Sequence, residues 1–137
     1  MNEHKFTKAV VDKLPADVHV QSMTLASISH TGTPDRYIDY KSDLWVEFKQ
    51  ATTFGNKGYN VGGEGESMLS ERQKQWLRRR WKNGGNACVI VGVPSDRARG
   101  FVLETPREWE CVVRKEFFLP RLMYAAELAA YILKRVS

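Results

Sequence analysis

The chain of 137 residues predicts an α/β domain: helix, three-stranded antiparallel meander, helix, parallel strand, then an extra C-terminal strand and helices over 94–137. Three observations carry this expectation. Arg36–Tyr40 and Leu44–Gln50 are rich in aromatic and β-branched residues, and the polar triplet Lys41-Ser42-Asp43 between them suits a tight antiparallel connection. Ser70-Glu71-Arg72-Gln73 has the spacing of a capping box ahead of the apolar Trp76, Leu77 and Trp81. The run that follows, 86–93, is almost wholly apolar, as in a strand buried on both faces. Strand, helix, strand in this order implies a right-handed parallel crossover.

Taken in order, Phe6, Val10, Val11 and Leu14 recur at helical spacing over about 2–14, and Pro15 follows. Glu3 shares the edge of that helix's buried face, although an acidic residue in a first turn also suits the helix dipole. Val18–Leu25 alternates as a strand and leads through polar 27–32 into Pro34-Asp35. Ser29, His30 and Thr31 lie where they would meet a phosphate, but also read as ordinary loop residues. Residues 51–67 hold five glycines without periodicity and predict a mobile loop, in which Lys57 and Tyr59 are candidates for nucleic-acid contact. The helix from Ser70 carries Arg72, Lys74, Arg78, Arg79, Arg80 and Lys82, and Asn83-Gly84-Gly85 ends it. Those six cations read either as a solvated face or as a grip on phosphates. Gly100–Glu104 predicts a strand, and Thr105-Pro106-Arg107-Glu108 another helix start. A closing helix is expected over about 120–136, with Leu122, Met123, Ala126, Ala130 and Leu133 on one face and Ala125, Ala129 and Ile132 widening it. Such breadth fits core packing or a homodimer seam.

The chemistry gathers at the hairpin. Side chains of a strand alternate faces, so Leu44, Val46 and Phe48 point one way and Trp45, Glu47 and Lys49 the other. Glu47 and Lys49 then lie roughly 7 Å apart along one face. Asp35 opens the neighbouring strand, which brings a second carboxylate beside them. Two carboxylates and the Phe48 carbonyl are hard oxygen donors suited to Mg²⁺ or Mn²⁺, with Lys49 beside them to act on a water or hold a phosphate. The plain alternative is an Asp before a strand and a Glu-x-Lys pair on a wet face.

Pro34-Asp35, the short hairpin spacing and Glu47-Phe48-Lys49 together resemble the motif of the PD-(D/E)XK nuclease superfamily. Leu69–Leu77, then Gly85 and an apolar strand, is similar to the corresponding segment of VRR-NUC domains, the virus-type replication and repair nucleases. Archaeal Holliday-junction resolvases share that core. The resemblance covers 2–93, about two thirds of the chain. It implies a restriction-endonuclease-like fold and an endonuclease using Mg²⁺ or Mn²⁺, with Asp35, Glu47, Lys49 and Gln73 as site residues. It further implies Glu3 as a third metal-site carboxylate, branched or Holliday-type DNA as substrate, and a cytoplasmic viral or bacterial setting in repair or recombination. A homodimer would supply the two cuts that a symmetric junction needs. The glycine-rich loop after Lys49 is longer than the usual connection in that family, and Glu3 is unusually near the terminus. The rival reading is a nuclease-fold module that binds nucleic acid or a protein with its carboxylates idle.

Composition agrees with an anionic partner: net charge is +5 and pI about 9.3. Cys88 and Cys111 have no metal-ligand spacing and read as reduced residues. No segment has the length or apolarity of a membrane span, and no apolar run follows the N-terminus.

Overall fold

The hairpin forms as the alternation requires. A computed structural model describes residues 1–23 and 31–137. Its elements are α1 (Glu3–Val11), β1 (His19–Ser22), β2 (Arg36–Asp39), β3 (Asp43–Gln50), β4 (Tyr59–Asn60), α2 (Glu71–Lys82), β5 (Ala87–Gly92), β6 (Arg99–Leu103), α3 (Pro106–Trp109), β7 (Val112–Val113), α4 (Lys115–Phe118), β8 (Met123–Tyr124) and α5 (Ala125–Val136). A six-stranded sheet runs in the order β1-β2-β3-β5-β6-β8. β1, β2 and β3 are the antiparallel meander, and β3 with β5 is the parallel pair.

Each face of the sheet carries its own core. On one, Leu44, Val46 and Phe48 are fully buried with Phe6 and Val10 of α1 and Leu128, Ile132 and Val136 of α5. On the other, Val89 and Val91 of β5 meet Leu77 of α2, Trp109 of α3, Phe118 of α4 and Tyr59 of β4. Every residue of β5 is buried, which explains its near-continuous apolarity. Burying each such side chain contributes about 1.5–3 kcal/mol relative to exposure. Cys88 lies in the first core, where burial pushes its thiol up to about 12. Among the described residues no helix is long and apolar enough to cross a membrane.

Several boundaries differ from expectation. α1 stops at Val11 rather than 14, because Lys13 and Leu14 donate to the carbonyls three residues back and tighten the chain into turns. β1 spans His19–Ser22, and Thr24 and Leu25 lie outside the described residues. β6 begins one residue early, at Arg99. The closing helix begins at Ala125, not near 120, because Met123-Tyr124 first pairs with β6. Its buried stripe is Ala125, Leu128, Ala129, Ile132 and Val136, while Ala126 and Ala130 are exposed. The face expected from Ala126 and Ala130 is therefore rotated toward solvent.

The largest correction concerns 51–67. The segment is mostly turns and bends, as a loop should be, but it also holds the two-residue strand β4, which pairs with β7 through Tyr59↔Val113 and Asn60↔Val112. Tyr59 is buried, its ring centroid 5.1 Å from that of Phe118, and its hydroxyl donates to the Thr53 carbonyl at 2.9 Å. It is a core residue and not a base-stacking one. Gly62 is required there: a Cβ would stand 2.4 Å from the Trp109 carbonyl oxygen.

Candidate active site

The β2–β3 ladder ends at the pair Arg36↔Val46, while β3 runs on beside β5 to Gln50. The N–H and C=O of one ladder residue project to the same side. Phe48, two residues beyond Val46, thus turns both groups toward the space that β2 has left. Asp35 fills it: its Oδ2 accepts the Phe48 N–H at 2.9 Å, and its own N–H donates to Glu47 Oε1 at 3.2 Å. The other oxygen of Glu47, Oε2, accepts Gln73 Nε2 at 3.0 Å and lies 3.5 Å from Lys49 Nζ. The structure brings Asp35, Glu47, Lys49 and Gln73 together, and the Phe48 side chain remains in the core.

Gln73 has two tasks. Its Oε1 accepts the Ser70 N–H at 2.9 Å, and its N–H donates to Ser70 Oγ at 3.2 Å, closing the capping box of α2. The amide nitrogen left over is the one that reaches Glu47.

Electrostatically the site is under like-charge tension. Glu47 is 1 % exposed, and burial, reinforced by Asp35, raises its carboxyl to about 8; Lys49 pulls the other way without prevailing. Burial also raises Asp35, offset in part by the Phe48 N–H, Lys49 and Arg36. Glu3 is raised by desolvation beside the site, against the pull of Lys49, and feels both Asp35 and the Gln50 N–H. A donor set of two crowded carboxylates with a carbonyl beside them fits a divalent hard cation, which would relieve their repulsion. Among the described residues no three His, Cys, Asp or Glu side chains gather closely enough to hold an ion by themselves. A cation between Asp35 and Glu47 therefore needs the Phe48 carbonyl, water or substrate oxygens to complete its shell.

Glu3 instead lines a cleft of about 120 Å³ with His4, Thr7, Asp35 and Arg36. His4 is exposed in this cleft, and Arg36 is a lining residue outside the expected set. His4 follows Glu3 and Arg36 follows Asp35 in the sequence, and that adjacency is the only signal. Arg36 Nη1 donates to the Asp35 carbonyl at 2.9 Å and to Ser22 Oγ at 3.3 Å, tying β1 to β2 at this end of the sheet. Ser29 and His30 lie outside the described residues. Thr31 is exposed, with its Oγ1 2.6 Å from that of Thr33.

The turn before Asp35 rests on α2. Gly32 has φ +81°, and a Cβ there would lie 2.3 Å from the Arg72 carbonyl oxygen. Gly32→Ala is expected to cost roughly 2–4 kcal/mol, combining the left-handed backbone with steric overlap. A urea unfolding curve measures it, and a loss below about 0.5 kcal/mol would show that the turn is not held this way.

The cations of α2 do not form one free face. Lys74 pairs with Glu71 at 3.0 Å, Arg80 with Asp43 at 3.8 Å, and Arg78 with Glu110. Arg72, Arg79 and Lys82 are exposed on α2, and Lys57 is exposed ahead of β4. The expected six-cation grip is thus partly neutralised, by Glu71 within the helix and by Asp43 and Glu110 from elsewhere in the chain.

No protein-family model and no curated protein matches this chain. Among solved structures it is similar to Hjc, a Holliday junction resolvase from the archaeal hyperthermophile Archaeoglobus fulgidus. The TM-score is 0.55 at 18% sequence identity, covering 95% of this chain and 97% of that one. The likeness extends beyond the motif-bearing segment to nearly the whole domain, and the fold is restriction-endonuclease-like.

Proposed function

We propose that this protein is a metal-dependent endonuclease that hydrolyses DNA phosphodiester bonds, with branched or Holliday-type DNA as its preferred substrate. The observation that carries this reading is the buried Glu47, held on one side by Asp35 and on the other by Gln73 and Lys49. Burying Glu47 beside a second, half-buried carboxylate is costly and serves no packing need, whereas it suits a cation site. The fold shared with a Holliday junction resolvase supports the choice of branched DNA.

Asp35 and Glu47, with the Phe48 carbonyl, would hold Mg²⁺ or Mn²⁺. When bound, that ion supplies an acidified water and charge neutralisation at the phosphate. The Asp35 N–H and the Gln73 amide fix the direction of Glu47, so that the ligand is oriented before substrate arrives. Lys49, on the same strand face, orients the attacking water or steadies the phosphate oxygens. Exposed cations of α2 such as Arg79 bear on the flanking backbone. A twofold pair of chains would cut a symmetric junction on both sides.

The test is a panel of labelled single-stranded, duplex, flap and four-way-junction DNA incubated with Mg²⁺, Mn²⁺ or chelator. Nicking that requires the cation, favours the junction and disappears in Asp35→Asn is the expected result. Equal binding in chelator with no cutting of any form would make this a binding module instead.

A further inference from the structure

The sheet end that carries the carboxylates also carries a second, unassigned cationic cluster. Register fixes its place: Gln50 of β3 pairs with Gly92 of β5, Gly92 with Gly100 of β6, and the preceding Arg99 with Tyr124 of β8. Three strand spacings separate β3 from β8, about 14 Å in all. Arg99 also lies four residues along β6 from Leu103, which is level with Glu47, about 13 Å further along the strands, so the cluster stands roughly 19 Å from Glu47, or five to six base-pair steps of duplex DNA.

At this position Arg97 Cζ lies 4.1 Å from the centroid of the Tyr124 ring, and Arg99 Cζ lies 5.9 Å from it. Two guanidiniums therefore crowd one aromatic ring. Among the described residues neither is ion-paired, in contrast to Lys74, Arg78, Arg80 and Arg135. The nearby carboxylate Asp96 is exposed and takes the Ser95 hydroxyl at 3.2 Å. Arg99 Nε is buried and lacks a hydrogen-bond partner. Lys13 of α1 joins Arg97 and Tyr124 around a groove of about 280 Å³. Like charges gathered without an acid are the features of a site awaiting a shared anion. Tyr124 holds the two guanidiniums near each other by cation–π contact.

We propose that Arg97 and Arg99, braced by Tyr124, form a second backbone-phosphate contact for the DNA bound at the carboxylate site. This rests on the nuclease reading above. The contact would set the direction in which the bound arm leaves the scissile phosphate, crossing the sheet end from β3 toward β8.

The experiment measures binding of a fluorescent four-way junction in chelator across a salt series. In Arg97→Ala/Arg99→Ala, affinity should fall about tenfold at moderate salt, and the slope of log K against log salt should flatten by about 1–2. Arg97→Lys/Arg99→Lys keeps the charge and should retain the slope. Arg97 is exposed, so Arg97→Ala alone keeps the fold and should show half the effect. In the wild type, a neutral methylphosphonate about five to six steps from the cut should weaken binding; in the double variant it should add no further loss. An unchanged slope in a folded double variant overturns the proposal. A flattened slope with no cleavage by the wild type would sink the nuclease reading and leave the contact standing. Cleavage with an unchanged slope would sink the contact alone.

Discussion

Glu47→Gln is expected to make the protein markedly more stable in chelator above neutral pH, and inactive. The buried carboxyl is raised to about 8 from an ordinary 4.5. Between those values the native state holds a proton that the unfolded chain releases, so stability is full below about 4.5 and is lost as pH rises through about 8. At pH 7 the loss amounts to roughly 3 kcal/mol for this one group, at about 1.4 kcal/mol per pKa unit. Glutamine keeps the shape and removes the charge, so its melting temperature should stay flat where that of the wild type falls. The gap near pH 8 should be on the order of 10 °C. Adding Mg²⁺ should lift the wild type by about 2–3 kcal/mol at a hundredfold excess over its dissociation constant. The variant should gain much less, because half of the carboxylate pair is gone. Parallel stability curves for the two proteins from pH 5 to 8 would show that Glu47 folds as an ionised group and that the site is not tensioned.

Lys49→Ala should lower junction cleavage by roughly a thousandfold, within the range for losing a positioned proton donor or charge stabiliser. Lys49 Nζ is 3.5 Å from Glu47 Oε2, and the side chain is only 17% exposed. It is thus directed at the site and not at the flanking backbone. Affinity for the junction should therefore change by no more than a few-fold. Lys49→Arg should not restore turnover, since a planar fork cannot replace a compact ammonium in so crowded a space. Cleavage within tenfold of the wild type in Lys49→Ala would remove this residue from the reaction and leave it as a counter-charge for Glu47.

The parts of this site that were legible beforehand are those fixed by short-range geometry. Strand alternation alone places Glu47 with Lys49 and away from Phe48, and the hairpin turn puts Asp35 beside them. The Ser70–Gln73 box is likewise a local pattern, and it formed at the expected residues. The β4–β7 pair was not legible, because it joins residues far apart in sequence through strands of two residues each. Its glycines read as looseness when some of them permit close approach to the backbone around Trp109. The acids that pair with Arg78 and Arg80 come from the residue after α3 and from β3, so no reading of the helix alone reveals them. Arg97, Arg99 and Tyr124 are ordinary residues until β6 and β8 are laid side by side.

Gln73 ties two otherwise separate matters. One end of its amide secures the opening turn of α2, and the other steadies Glu47. Once the turn frays, Glu47 loses a donor and becomes a weaker acid. The order of one helical turn and the acidity of a buried carboxyl are thereby coupled through a single carboxamide.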